Sequence, residues 1–145
     1  MSDVYIEGLD RLLTKLDSMT QARALEDGIT KACAFVEGQA KKNLHDGISA
    51  TGELAMSITH VVKDGVGVVG TNKEYAPYVE IGTGIFSSKG DGRQTPWVYW
   101  NERAQQFCYT VGMPPRPYLR PALVDNVEPV KNLIFKSVLE EVRKK

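Results

Sequence analysis

The chain has 145 residues, 42% of them apolar and 25% charged, with 18 basic residues balanced by 18 acidic ones. This length is one domain's worth and can bury a sizeable core without disulfides, so residues 1–145 are read as a single domain. No apolar run approaches the ~20 residues of a membrane span, and the local as well as overall charge balance argues against direct nucleic-acid binding through a basic stripe.

The start, "MSDVYIEGLD", lacks the basic flank and apolar core of a signal peptide, which predicts a cytoplasmic site of synthesis. After "VYIEG", the segment "LDRLLTKLDSM" places Leu9, Leu12, Leu13 and Leu16 on one helical face and predicts an N-terminal helix. Thr20 can cap a second, longer helix running to about His45, with Leu25, Ile29, Cys33, Val36, Ala40 and Leu44 at three- and four-residue intervals. Lys41, Lys42 and His45 suit its last turns, and Gly47 suits its close.

The pattern then changes to the strand period. "SITHVVKDGVGVVGTN" predicts a hairpin turning at Asp64-Gly65, with Ile58, His60, Val62 and then Val66 and Val68 alternating against neighbours on the other face. In "YAPYVEIGTG", Pro77 fits the first turn of a short helix that gathers Tyr75, Tyr78, Val79 and Ile81 and ends at Gly82 or Gly84. The stretch Ile85 to Thr95 is rich in Ser, Gly and charge and reads as an exposed, mobile loop. "TPWVYWNERAQQFCYTVG" predicts a second hairpin, joined by the polar "NERAQQ".

"GMPPRPYLRPAL" follows. Pro114, Pro115 and Pro117 stop that hairpin and impose an extended crossing, and Pro121 fits the first turn of a terminal helix. Tyr118 and Leu119 are placed to pack beneath the corner, with Arg116 and Arg120 available to Glu80 or to a neighbouring subunit. Val127, Val130, Leu133, Ile134, Val138 and Val142 mark the apolar stripe of the last helix. The closing "RKK" answers the helix dipole. The expected fold is α+β: a mainly antiparallel four-stranded sheet from two hairpins, a long helix packed on it, and helices at both ends.

No catalytic residue, cofactor site or metal site emerges. "GVGVVG", Gly65 to Gly70, matches a dinucleotide-binding pattern and Asp91 lies downstream, but the glycines interleave with valines in a strand instead of opening a helix. His45 and His60 have no ligand partners at metal spacing, and no nucleophile elbow is present. Cys33 and Cys108 fit neither a metal nor a disulfide framework and read as buried, reduced thiols.

"TGELAMSI", "GTNKEYAPYVEIGTG", "TPWVY" and "PPRPYLRPAL", in that order, resemble the head-to-tail joining or tail-completion (neck) proteins of long-tailed double-stranded DNA bacteriophages. The resemblance implies a structural virion protein of the tail or neck, assembled in the host cytoplasm and forming an oligomeric ring. It also implies contacts with the tail tube protein and a head-closure or connector protein, with genome DNA only passing through the channel, and neither enzymatic activity nor a membrane partner. The candidate assembly residues are Tyr75, Tyr78, Glu80, Lys89, Arg93, Arg116, Tyr118 and Arg120. Two other readings stay open: an adaptor that offers Pro114 to Pro117 as a P-x-x-P ligand, and a small hydrolase whose site is not visible in the sequence.

Overall fold

A computed structural model describes residues 18–45 and 52–144. The helix expected on Leu9, Leu12, Leu13 and Leu16, and the closing Gly47, lie outside the described residues. In chain order the elements are α1 (Ser18–His45), α2 (Glu53–Ser57), β1 (Thr59–Lys63), β2 (Val66–Gly70), α3 (Ala76–Ile81), a 3-10 turn (Gly84–Phe86), β3 (Trp97–Asn101), β4 (Gln106–Thr110), α4 (Leu119–Val124) and α5 (Val127–Arg143).

The α+β class is as the sequence predicts. The single four-stranded sheet is not: among the described residues β1 pairs only with β2, and β3 only with β4, each antiparallel. The reason lies at the base of the second hairpin. There the backbone N–H of Ile85 donates to the carbonyl of Val111 at 3.2 Å and that of Thr83 to Met113 at 2.9 Å. The stem is thus bonded to the segment after α3, away from the edges of β1 and β2.

α1 has 28 residues, about 42 Å of axis at 1.5 Å per residue, and it is the element on which most of the others pack. Ala24, Ala32, Cys33, Val36, Ala40 and Leu44 are buried along it. Thr20 falls inside the helix and does not cap it. Small residues let neighbours approach closely: a Cβ on Gly28 would sit 3.0 Å from the Ile134 Cα of α5. Val130, Ile134 and Val138 of α5 fill that contact, as the helical stripe predicts. Leu54, Ala55, Ile58, Ala76, Val79, Tyr118 and Ala122 complete the same hydrophobic cluster.

The β1–β2 hairpin lies on α1 with a register set by its turn. Asp64 and Gly65 have φ of 51° and 76°, the positive pair that a two-residue turn of the right twist needs. Lys63 is therefore opposite Val66, Val62 opposite Gly67 and His60 opposite Val69. His60, Val62, Gly67 and Val69 share the face toward α1, while Val66 and Val68 lie on the outer face with Val61. The alternating set expected from the sequence is thus divided between the two faces, because the two-residue turn shifts the second strand's phase. Gly67 stands where hairpin and helix nearly touch: a Cβ there would lie 2.3 Å from Cys33 Sγ and 2.7 Å from Ile29 Cγ2. The glycines that mimic a nucleotide fingerprint are accounted for by a turn at Gly65 and a close approach at Gly67.

Polar contacts fasten the same hairpin. His60 Nδ1 meets Glu37 Oε2, and Lys41 Nζ donates to Glu37 Oε1 at 2.6 Å. The Lys41 contact first, and the His60 contact second, hold the Glu37 carboxyl below the usual carboxylate range. Cys33 is buried, which raises its thiol pKa, whereas Cys108 is only half-buried, against the expectation that both would be enclosed.

Two outcomes follow. Gly67→Ala should destabilise the chain by about 1–3 kcal/mol through overpacking, and adding Cys33→Ala should restore part of the loss; urea unfolding of the two variants checks this. Glu37 has a lower pKa folded than unfolded, so its contribution is present above the unfolded pKa, near 4.5, and is lost as pH falls through the folded value. Glu37→Gln should flatten the rise of the urea midpoint with pH below about pH 5.

Candidate assembly surface

The site is organised by one carboxylate. Pro77 in the first turn starts α3, and Gly82, at φ 86°, ends it. Glu80, in the last turn of α3, is half-buried and faces the proline-arginine segment. Its Oε2 accepts the backbone N–H groups of Tyr118 at 2.8 Å and Leu119 at 2.9 Å, and its Oε1 accepts that of Arg120 at 3.0 Å. These are donors that the start of α4 cannot satisfy internally. The sequence reading offered the guanidinium groups of Arg116 and Arg120 to Glu80; the carboxylate instead binds backbone.

A backbone crossing reinforces this clamp. Met113 N–H donates to Thr83 Oγ1 at 2.9 Å and Arg116 N–H to the Val79 carbonyl at 2.8 Å. Only glycines fit where the strands cross: a Cβ on Gly84 would lie 2.0 Å from the Val111 carbonyl oxygen, and one on Gly112 2.2 Å from that of Thr83. Tyr118 is 2% exposed. Burial first, then the neighbouring Glu80 and Tyr75, pushes its hydroxyl pKa up to about 12. Its carbonyl accepts from Asn43 Nδ2 at 3.0 Å, which ties the segment to α1. Pro114 to Pro117 is thereby part of the fold's own framework and not a free P-x-x-P tail.

On this framework lies an open groove of about 540 Å³, whose lining includes Tyr78, Ile81, Lys89, Asp91, Arg93 and Trp97. The expected loop from Ile85 to Thr95 forms its wall and is held by its own bonds. Ser88 N–H donates to the Ile81 carbonyl at 2.9 Å, Ser87 Oγ to Asp91 Oδ1 at 3.0 Å, and the Arg93 guanidinium sits 5.5 Å from the Trp97 ring centre.

A second exposed apolar surface lies on the second hairpin. Register puts Val98 opposite Tyr109 and Trp100 opposite Phe107, so these four share one face. They are 60%, 71%, 47% and 72% exposed respectively. Trp100 and Phe107 stack edge to face with ring centres 5.1 Å apart. The opposite face carries Trp97, Tyr99, Asn101, Gln106, Cys108 and Thr110. Among the described residues, the hairpin packs extensively against no helix.

The candidate residues therefore separate into groups. Tyr78, Lys89 and Arg93 meet in the groove; Tyr75 is exposed beside it in sequence and lines a separate hollow of about 140 Å³. Arg116 and Arg120 are exposed, while Glu80 and Tyr118 serve the protomer's interior. Val98, Trp100, Phe107 and Tyr109 were missed, because aromatic and β-branched residues in a hairpin read as core. The available signal was that large apolar side chains occupy both faces, although an isolated hairpin can bury at most one.

Among the described residues no group of three or more His, Cys, Asp or Glu could hold a metal ion, and no helix is long and apolar enough to cross a membrane. A family model described as "Bacteriophage HK97-gp10, putative tail-component" matches residues 9–82, just over half of the chain. No curated protein and no solved structure matches.

Glu80→Gln retains the shape but replaces one acceptor with a donor against the α4 N–H groups. It should lower stability by about 1.5–3 kcal/mol, the range for hydrogen bonds to a charged group. Urea unfolding of the full chain, beside an Arg120→Gln control that leaves the backbone bonds intact, measures it.

Proposed function

Because the chain belongs to the HK97-gp10-like family of bacteriophage tail components, we propose that it is a non-enzymatic structural subunit of the phage head–tail junction. It assembles as an oligomeric ring in the neck or at the end of the tail, where it completes the tail or joins it to the head. Its neighbours are the tail tube protein and a head-closure or connector protein, and the genome passes through the channel of the ring. Assembly takes place in the host cytoplasm and the finished protein resides in the virion.

The observation that supports assembly is the aromatic face of the β3–β4 hairpin. Four large apolar side chains, 47–72% exposed, lie together on one face, the kind of contiguous patch that marks an interaction site. A ring needs two different faces per subunit that meet repeatedly until the rotation closes. The exposed residues Tyr75, Tyr78, Lys89, Arg93, Arg116 and Arg120 are assigned to contacts with neighbouring proteins of the neck. The equal numbers of acidic and basic residues suit a channel wall that must release DNA instead of holding it.

Deletion of the gene from its phage should leave filled heads beside separate or defective tails, scored by electron microscopy and restored by supplying the chain from a plasmid. Normal infectious particles from the deletion would reject the role.

A further inference from the structure

Among the described residues, two sheet faces stand uncovered. One is the aromatic face of β3–β4, formed by Val98, Trp100, Phe107 and Tyr109. The other is the outer face of β1–β2, where Val61, Val66 and Val68 are exposed. We propose that these faces are the two halves of a single contact between successive copies of this chain, the aromatic face of one copy packing on the valine face of the next. The inference rests on the self-assembly proposed above and specifies the surfaces that carry it.

Area is consistent with the pairing. Exposed aromatics of this kind present on the order of 100–170 Å² each, so the aromatic face offers roughly 450 Å² with Val98, a size at which a monomer's largest patch is often functional. Covered by the smaller valine face, the contact stays below the ~1,000 Å² of a stable pairwise interface and fits a weak one that gains strength by repetition around a closed ring. An aromatic face paired with itself would leave the valine face in water and would stop at a dimer.

Shape and charge agree with this. All four strands have five residues, so the two hairpins match in length, and twisted sheets stack face to face with their strands nearly aligned. Lys63 ends β1 and Asp64 begins the turn after it, and the β3–β4 turn carries Glu102 and Arg103. None of these four side chains makes an ion pair within the described residues. Laid face to face with their tips together, the hairpins bring Lys63 to Glu102 and Asp64 to Arg103, so charge selects the register that the apolar surfaces fill. Each copy then uses its aromatic face on one neighbour and its valine face on the other, which propagates without a twofold axis.

The test uses the full chain with one face disabled at a time. Phe107→Glu removes the aromatic face and Val68→Glu the valine face; both positions are exposed, and thermal melting verifies that each variant folds. Either substitution should weaken self-association by roughly tenfold or more, as expected for a central apolar anchor. Mixed, the two variants should form a one-to-one dimer and nothing larger, by native mass spectrometry, since only one productive pair of faces remains. Lys63→Glu and Glu102→Lys should each weaken association and, combined in one chain, restore it.

A photo-crosslinking benzoylphenylalanine at Tyr109, irradiated in assembled tails, should reach residues 59–70 of another copy. Self-association that persists in the Val68→Glu chain alone, or a mixture that stays monomeric while the parent associates, overturns the proposal. Crosslinks in the tails that reach only a different protein overturn it too, and leave the tail role standing. Absence of the chain from tails defeats that role, whereas the mixed dimer in solution still supports the paired faces.

Discussion

A single carboxylate determines where the last third of the chain lies. Glu80 accepts three consecutive backbone N–H groups at the start of α4, and these bonds make a corner of what would otherwise be a proline-rich linker. Several features depend on that corner. Tyr118 enters the core, Asn43 of α1 reaches its carbonyl, and α5 is aimed along α1 so that Ile134 meets Gly28. The same crossing fixes the stem of the β3–β4 hairpin beside Thr83 and Ile85, and so directs its aromatic face away from the core.

Much of this was legible in the sequence where local rules decide. The 3.6-residue stripes of α1 and α5 survive as buried faces, since a helix fixes which side chains share a side whatever it packs against. Asp64-Gly65 and Pro77 act through backbone dihedrals, and both did what their chemistry dictates. Non-local pairing was not legible. Whether two hairpins join into one sheet depends on which edges the backbone can reach, and composition carries no trace of that. The partner of Glu80 was hidden for a related reason: three main-chain amides have no residue identity, whereas two nearby arginines do.

The candidate surface was legible only in part. Tyr78, Lys89 and Arg93 do meet around one groove, because the short helix and the following loop are adjacent in sequence and fold locally. Tyr118 looked like a contact residue and is core, since an aromatic beside prolines and arginines has the same composition in either role. Trp100, Phe107 and Tyr109 erred in the opposite direction. The match to bacteriophage tail components covers residues 9–82, so it ends before the β3–β4 hairpin, and the residues with the most exposed aromatic area lie outside it.

The isolation of that hairpin has a dynamic consequence. A two-stranded ribbon without a core of its own is marginal in water, and its strands are joined to the rest of the protomer mainly through the stem near Val111 and Met113. It therefore forms an opening unit separate from the α1–α5 core, with amide protection set by its own few cross-strand bonds and not by global unfolding. A covering partner would raise that local opening free energy by mass action without altering the core. A partner that covers this face would give the segment a single fixed shape.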